Sequence, residues 1–175
     1  MAFILTVEPH RNSWSRDFEV EAARVQDALG SALNALYHIG STAIPGIYAK
    51  PIIDILADVT SLEAVDGRVH EMQTLEYEFM GEFGIPGRRF FRKSDANGMR
   101  THQLHAFVHQ SPDIDRHLAF RDYLIAHPDT AQAYSELKRG LVQTCNGNLE
   151  AYLSGKDAFI KDVEQKALYW KAKRA

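Results

Sequence analysis

The sequence predicts an α+β protein, with a mixed β-sheet flanked by helices and a helical C-terminal subdomain. Two observations support this prediction: strand-like segments and turn residues occur only before about residue 110, and the later residues show only helical spacing. The chain has 175 residues, 45% of them hydrophobic, which is enough for a core. We expect one domain over residues 1–175, with its sheet part at about 1–110 and its helical part at about 111–175.

The first elements alternate between helix and strand. Apolar residues at three- and four-residue steps from Trp14 to Leu29 predict an amphipathic helix that covers the sheet and ends at Gly30. The residues between Pro51 and Val59 are rich in Ile and are typical of a central strand. The other elements expected here are a short strand at 33–39, a helix at 61–73 and the beginning of a strand at 75–80.

A β-hairpin and three helices are expected next. The turn sequence Asp95-Ala96-Asn97-Gly98 separates the two strands of the hairpin, 88–93 and 99–108. Ser111 can cap a helix that begins at Pro112, and His127-Pro128 interrupts the helical pattern. The Asn146-Gly147-Asn148 turn then precedes a third helix, from Leu149 to about Lys173, in which Ser154-Gly155 is a candidate break.

Composition excludes several classes of partner. Twenty Lys and Arg residues against twenty-three Asp and Glu residues give a net charge of −3, so no overall attraction to nucleic acid or to an anionic membrane is expected. No apolar run reaches the roughly 18 residues of a membrane span, no secretory signal is evident, and Cys145 has no partner for an internal disulfide. We therefore expect a cytoplasmic protein with a small-molecule partner, while no feature indicates an oligomeric state.

A glycine-serine turn followed by an acidic strand is the most informative feature. Gly40, Ser41 and Thr42 offer backbone N–H groups and small hydroxyls to phosphate oxygens, and glycine allows close approach of the backbone. Asp54 on the next strand offers a hard carboxylate oxygen to magnesium. Together they favour a nucleotide or phosphorylated small molecule as ligand, with Mg²⁺ or another divalent metal as cofactor. The alternative for Asp54 is a structural role, such as capping the turn.

The spacing along this strand limits the number of metal ligands. Asp54, Leu56 and Asp58 share one face of a strand, with about 13 Å between the two aspartates. Two ions about 3.5–4 Å apart require carboxylates at adjacent positions of one face, and Leu56 occupies the position next to Asp54. The strand therefore predicts one ligand, and Asp58 is expected to face solvent at the strand end.

The second strand of the hairpin supplies two candidate histidines. His105 and His102 lie on opposite faces of the strand, and the face that carries His102 is predicted to pack against the hydrophobic core. Imidazole binds metal or carries a proton near neutral pH. We predict that His105 acts beside Asp54 as a catalytic residue and metal ligand, with His102 as a further candidate metal ligand. The alternative for either is a half-buried histidine with one satisfied hydrogen bond.

Several basic residues are candidate phosphate contacts. Lys50, Arg88 and Arg89 are close in sequence to the predicted site, and their charged groups match phosphate oxygens. For Arg92-Lys93 a solvated loop face is an equal alternative. The basic residues of the helical part are expected to be surface charges, although they could reach into a cleft; they are Arg116, Arg121, Lys138 and Lys156.

Four segments carry a resemblance to a known family: 38–54 (HIGSTAIPGIYAKPIID), 84–93 (GIPGRRFFRK), 100–105 (RTHQLH) and 117–128 (HLAFRDYLIAHP). With them the chain resembles, over nearly its whole length, the GrpB family of nucleotidyltransferase-like proteins. The resemblance implies a fold like that of the nucleotidyltransferase superfamily. In that superfamily a Gly-Ser turn joins an Asp-x-Asp strand, and a third acidic residue lies on a later strand. The acidic residues bind magnesium, and the turn holds the nucleotide's phosphates.

Only some residues of that site have a matching residue in this sequence. Gly40 and Ser41 match the turn and Asp54 matches the first acidic residue, whereas Leu56 replaces the second. The later strand carries His102 and His105 where a third carboxylate is expected, which leaves one carboxylate and a histidine for a single ion.

Two functions agree with this incomplete acidic triad. One is metal-dependent transfer of a nucleotidyl or phosphoryl group to a small acceptor. The other is non-catalytic binding of a nucleotide or phosphometabolite on the same fold. An enzyme would need the metal for turnover, whereas a binding protein would hold its ligand without it.

Overall fold

A computed structural model describes residues 5–175. Over these residues the helices are α1 (Ser13–Leu29), α2 (Leu62–Asp66), α3 (Val69–Thr74), α4 (Pro112–Ala126), α5 (Pro128–Thr144) and α6 (Leu149–Arg174). The strands are β1 (Leu33–Ile39), β2 (Ile53–Val59), β3 (Tyr77–Phe79), β4 (Arg88–Ser94) and β5 (Arg100–Val108). This order of elements confirms the α+β class, with strands first and the long C-terminal helices last.

The chain forms two compact units. The sheet unit contains Asn12–Ile39 and Ile52–Ile114, and the helical unit contains residues 5–11, Gly40–Pro51 and Asp115–Ala175. The sequence assigned residues 40–51 to the sheet part, but they belong to the helical unit. The reason is apolar burial, since Ile44 and Ile47 are fully buried in one cluster with residues of the C-terminal helices such as Leu124 and Val163.

The sheet unit is built on one five-stranded mixed sheet in the order β1-β2-β5-β4-β3. β2 and β5 are parallel, and the other neighbouring pairs are antiparallel. β2 lies between β1 and β5, so its nearly continuous apolar sequence is buried, as the sequence predicted. In the register of these strands, Asp54 is opposite Gln103 and Leu56 is opposite His105.

The apolar stripe of α1 packs against β1 and β2, as its spacing predicted. Trp14, Val25 and Leu29 are buried on this side of the helix. Gly30 ends the helix with φ +53°, a conformation that glycine adopts without strain, and its N–H donates to the Gln26 carbonyl.

The single helix predicted over residues 61–73 is wrong, because two short helices occupy this stretch. Ser61 caps α2 by accepting a hydrogen bond from the Ala64 N–H at 3.0 Å. α2 ends at Asp66 with Gly67 as its C-cap, and α3 begins at Val69. Glycine has a low helix propensity, which agrees with the interruption at this residue.

The hairpin is confirmed, and its turn is held by one aspartate. The Asp95 carboxylate accepts hydrogen bonds from the backbone N–H groups of Asn97 at 2.9 Å and Met99 at 3.0 Å. Gly98 has φ +77°, which favours glycine at that turn position. β4 and β5 then pair antiparallel along their lengths.

The candidate break at Ser154-Gly155 is wrong, because α6 runs without interruption from Leu149 to Arg174. A Cβ added to Gly155 would lie 2.4 Å from Cδ2 of Leu141 on α5. Glycine therefore serves the close packing of two helices here and does not end one. No helix within residues 5–175 has both the length and the apolar character that crossing a membrane requires.

The two glycines of α5 and α6 are expected to respond in opposite directions to alanine. Gly140→Ala should stabilise the protein by about 0.5–1 kcal/mol, because glycine is a poor helix former and the new Cβ meets nothing within 4 Å. Gly155→Ala should destabilise it by about 1–3 kcal/mol, because Leu141 must move. Urea unfolding of both variants measures the difference, and equal stability would show that Leu141 adapts freely.

Candidate functional site

One face of the sheet unit brings together several of the predicted site residues. Side chains alternate along a strand, and paired residues on neighbouring strands point to the same side. The register therefore places Asp54 and Leu56 of β2, His105 of β5 and Arg88 of β4 on one face. The sequence predicted that Asp54 and His105 would act together, and the sheet sets them side by side.

A chain of hydrogen bonds joins three of these residues. His105 Nε2 lies 3.2 Å from Asp54 Oδ1, and His105 Nδ1 lies 3.3 Å from Arg88 Nη1. A guanidinium only donates hydrogen bonds and an ionised carboxylate only accepts them. Arg88 therefore donates to Nδ1, and the Nε2–H group donates to Asp54, which assigns one tautomer to the imidazole.

Arg88 is held in place by its own surroundings. The buried guanidinium donates from Nη2 to the Phe83 carbonyl at 2.9 Å and from Nε to the Glu82 carbonyl at 3.2 Å. It also lies 4.6 Å from the centroid of the Phe90 ring, a cation–π contact. This side chain therefore orients His105, and a phosphate contact at Arg88 stays a prediction.

The face offers one carboxylate to a metal. The Asp54 side chain is 25% exposed, and its Oδ2 lies outside the hydrogen bond to His105. Leu56 is fully buried, and both ring nitrogens of His105 are already hydrogen-bonded, so the predicted ligand role of His105 would require it to release a partner. Within the described chain no three His, Cys, Asp or Glu residues form a metal-binding group.

These donors fit one kind of metal site and not another. Mg²⁺ keeps several waters and commonly binds one or two carboxylates together with substrate phosphates, so Asp54 fits a single ion of this kind. Two ions bridged by carboxylates do not fit, because the neighbouring position is Leu56.

His102 is separated from this face, so the predicted set of Asp54, His105 and His102 is not assembled. Its Nδ1 is hydrogen-bonded to Thr101 Oγ1 at 2.9 Å. Burial lowers the pKa of His102, while the nearby Glu21 carboxylate of α1 opposes this effect. His102 thus belongs to the side of the sheet that α1 covers, as the alternation along the strand indicated.

Arg89 forms an ion pair with Asp66, and its role as a phosphate contact stays a prediction. Its Nε and Nη2 donate to the two carboxylate oxygens of Asp66 at 2.6 and 3.0 Å. Arg92 makes a similar two-point contact with Glu78 at 2.7 and 3.1 Å. Lys93 Nζ lies 2.9 Å from Glu21 Oε1, so Arg92 and Lys93 are strand residues with acidic partners, and the loop-face alternative is wrong.

Asp58 is buried, so the expectation that it faces solvent is wrong. Its carboxylate accepts a hydrogen bond from Asn34 Nδ2 at 3.1 Å and lies 2.8 Å from His109 Nδ1. The reason is the position of β2 inside the sheet, where even its last residues have a neighbouring strand on each side.

The glycine-serine turn lies in the helical unit and forms one 3₁₀ turn, Ser41–Ala43. Gly40 has φ +74°, which favours glycine there. The N–H groups of Ala43 and Ile44 donate to the carbonyls of Gly40 and Ser41, each at 3.1 Å, so these two donors serve the turn itself. Phosphate binding by Gly40, Ser41 and the buried Thr42 stays a prediction.

Lys138 was expected at the surface, but it is 1% exposed in the helical unit. Sequence reasoning missed it because a lysine in a helix is usually solvated. The available signal was its spacing: Lys138 follows Tyr134 by four residues, and Tyr134 belongs to the apolar stripe that faces the core. Lys50, a predicted phosphate contact, lies in the same unit and is half-buried.

Comparison with known proteins identifies the family. The family model described as "GrpB protein" matches residues 4–166, almost the entire chain. The chain belongs to the GrpB family. The crystal structure of the conserved protein GrpB from Enterococcus faecalis is similar to this GrpB-family chain, with 41% sequence identity and a TM-score of 0.89 over 94% of this chain and 99% of that one. The two-part architecture of sheet and C-terminal helices is therefore the GrpB fold.

Two sequence relatives of this GrpB-family chain are longer than it is. The UPF0157 protein YqkA of Bacillus subtilis is 42% identical over 94% of this chain, which spans 48% of that protein. A protein of Mycolicibacterium paratuberculosis named "Dephospho-CoA kinase" is 27% identical over 93% of this chain, which spans 46% of it. In both relatives about half of the length corresponds to the GrpB region.

Proposed function

We propose that this chain transfers a nucleotidyl or phosphoryl group to a small acceptor on a nucleotidyltransferase-like fold, with Asp54 as the reactive carboxylate. The observation that supports this proposal is the hydrogen-bonded series Asp54–His105–Arg88 on one face of the sheet. A carboxylate held through one oxygen, with the other oxygen outside that bond, is suited to accept a proton from an acceptor hydroxyl or to bind a cation.

The other two residues of the series are positioning residues. His105 holds the orientation of the Asp54 carboxylate through its Nε2–H group, and Arg88 keeps the imidazole in that tautomer by occupying Nδ1. The carbonyls of Glu82 and Phe83 in turn fix the guanidinium. A rigid arrangement of this kind is what proton transfer requires, because it removes the need to orient groups during the reaction.

Mg²⁺ or another divalent ion would be held by Asp54 together with the phosphates of the ligand. When bound, it would neutralise phosphate charge during transfer. The predicted phosphate contacts Gly40, Ser41, Thr42 and Lys50 belong to the helical unit, and their role stays a prediction. The relative named "Dephospho-CoA kinase" adds dephospho-CoA to the nucleoside triphosphates as a ligand to be tested.

A specific observation favours the second function, binding without catalysis. Leu56 is fully buried at the position where a second acidic residue would complete a two-ion site. A non-catalytic protein would bind its nucleotide or phosphometabolite without needing the metal at Asp54. The metal dependence of binding and turnover therefore separates the two functions.

The test is a thermal-shift measurement with ATP, GTP, CTP, UTP and dephospho-CoA, each with and without Mg²⁺ or Mn²⁺. At a ligand concentration of about 100 Kd, we expect a metal-dependent rise in Tm of about 5–10 °C for the wild type. Asp54→Asn should remove the metal dependence. Asp27→Asn, the same change at an exposed carboxylate of the sheet unit, should leave it intact.

Each alternative outcome has a definite meaning. An equal, metal-independent shift in wild type and Asp54→Asn would reject transfer at Asp54 and support the binding protein. If none of the ligands shifts the Tm, both functions lose their support. Where a ligand does bind, release of phosphate or pyrophosphate in the presence of acceptor alcohols and amines measures turnover, which Asp54→Asn should abolish.

A further inference from the structure

The helical unit contains a buried ammonium group without a hydrogen-bond acceptor. Lys138 of α5 is 1% exposed, and no acceptor among residues 5–175 lies within hydrogen-bond distance of its Nζ. The Nζ atom instead lies 4.4 Å from the centroid of the Tyr134 ring. A ring face compensates only part of the hydration that a buried charge loses, so this group favours the binding of an anion.

Two further lysines, Lys50 and Lys156, interact electrostatically with Lys138. The Nζ atoms of Lys50 and Lys156 lie 5.3 and 4.6 Å from the centroid of the same ring, that of Tyr152. Burial, together with the charges of Lys156 and Lys50, lowers the pKa of the Lys138 ammonium to about 7. Three segments of the helical unit thus contribute lysines, and the charges of two of them act on the third, Lys138.

Hydrogen bonds to α5 fix the segment that leads to Lys50. The Tyr48 N–H donates to Ser135 Oγ at 2.8 Å, and Gln132 Nε2 donates to the Gly46 carbonyl at 3.0 Å. Ser135 and Gln132 are three residues apart and share one side of the helix. The backbone just before Lys50 is therefore held on the helix that carries Lys138.

The third lysine, Lys156, lies on α6 next to a buried tyrosine. Tyr152 and Lys156 are four residues apart, so they lie on the same side of the helix. Tyr152 is fully buried among apolar residues that include Leu5 and Cys145, so core packing restricts its ring. A rigid ring beneath two lysines limits the side-chain freedom that anion binding would otherwise have to restrict.

We propose that Lys138, Lys50 and Lys156 form a binding site for a phosphate or diphosphate group of a small-molecule ligand. A phosphate group carries up to two negative charges and several acceptor oxygens, so it can give the buried Nζ of Lys138 an acceptor and can also attract the charges of Lys50 and Lys156. The site lies within the helical unit and needs neither Asp54 nor a metal, so it goes beyond the function proposed above.

The test is calorimetric titration with inorganic phosphate and with pyrophosphate. Lys138→Met should weaken binding about 10- to 100-fold, because it removes a charge-assisted hydrogen bond at a site where the apolar chain still fits. Lys161→Met should have no effect, since Lys161 is an exposed lysine of α6 paired with Asp157. Lys50→Met and Lys156→Met, at half-buried positions, should each weaken binding about tenfold.

Proton uptake provides a readout that a structural role of Lys138 would not produce. Titration at pH 8 in two buffers of different ionisation enthalpy should show uptake of about one proton by the wild type, because the anion favours the charged lysine. Lys138→Met should show none. Pyrophosphate should bind the wild type in a buffer without divalent metal ions, which separates this site from the metal-dependent binding proposed for Asp54.

Three outcomes would overturn the proposal. The first is absence of binding of either anion to the wild type. The second is unchanged pyrophosphate affinity of a folded Lys138→Met variant. The third is binding of acetate or citrate as tightly as pyrophosphate, which would assign the lysines to a carboxylate ligand.

Discussion

Replacing Glu21 by alanine is expected to lower the free energy of unfolding by about 3–5 kcal/mol. The Glu21 side chain, on α1, is 3% exposed, and its Oε1 lies 2.9 Å from Nζ of Lys93 on β4, whose side chain is 13% exposed. The substitution leaves the lysine buried without this partner, and an uncompensated buried charge is strongly destabilising. Urea unfolding at pH 7 measures the loss.

The matched control for Glu21→Ala is Arg24→Ala. Arg24 is the exposed partner of the same carboxylate, at 3.5 Å with a side chain 58% exposed, so its removal should change stability by only about 0–1 kcal/mol. The double variant Glu21→Leu with Lys93→Met should recover much of the loss, because apolar side chains of similar size can replace a buried ion pair. A loss below about 1 kcal/mol in Glu21→Ala would contradict the assignment.

The same ion pair predicts sensitivity to acid. Burial raises the pKa of Glu21, but hydrogen bonding and opposite charge, first of all the hydrogen bond from Lys93, together hold the pKa below its ordinary value of 4.5. A carboxyl whose pKa is lowered by folding contributes stability above its unfolded pKa, and that contribution is lost as the pH falls through the folded pKa. The stability difference between wild type and Glu21→Ala should therefore shrink below pH 4.5.

Without bound anion, the wild type is expected to gain about 2 kcal/mol of stability relative to Lys138→Met between pH 7 and pH 9. The pKa of Lys138 is about 7 in the folded protein and 10.5 as its ordinary value. Between these values the unfolded chain binds more protons than the folded chain, so stability rises with pH by about 1.4 kcal/mol per unit. The charges that face Lys138, those of Lys50 and Lys156, are present in both proteins.

Urea unfolding at pH 7, 8 and 9 in a buffer without phosphate measures this gain. At pH 7 Lys138→Met should be the more stable protein, because the wild type then buries a charged or easily charged amine. Lys161→Met should follow the wild type at each pH, since its side chain is exposed. Parallel curves for wild type and Lys138→Met would show that the amine keeps an ordinary pKa.

The local pattern of the sequence determined most of the secondary structure. The β1 strand, the hairpin and the end of α1 at Gly30 follow from hydrophobic spacing and turn residues, which act over a few neighbouring positions. The same period of two placed Asp54 and Leu56 on one face of an interior strand. The incomplete acidic set was therefore readable before any fold was known.

Contacts between distant segments decided the rest of the candidate site. Arg88 was a plausible phosphate contact by charge alone, but in the sheet it meets His105, seventeen residues away in sequence, and assigns its tautomer. Arg89 meets Asp66, and Asp58 becomes buried because β2 has strands on both sides. None of these partners has a fixed spacing in the sequence, so periodicity alone did not predict them.

Lys138 shows most clearly which properties follow from the sequence and which depend on the tertiary structure. The sequence by itself determined that Lys138 lies on a helix one turn after Tyr134, but composition favours solvent for any lysine. Only the packing of the helical unit decided that the ammonium of Lys138 is buried. The same packing decided that the charges of Lys50 and Lys156 lower its pKa. Burial and charge interactions are summed over all neighbours in space, whereas sequence patterns report the neighbours along the chain.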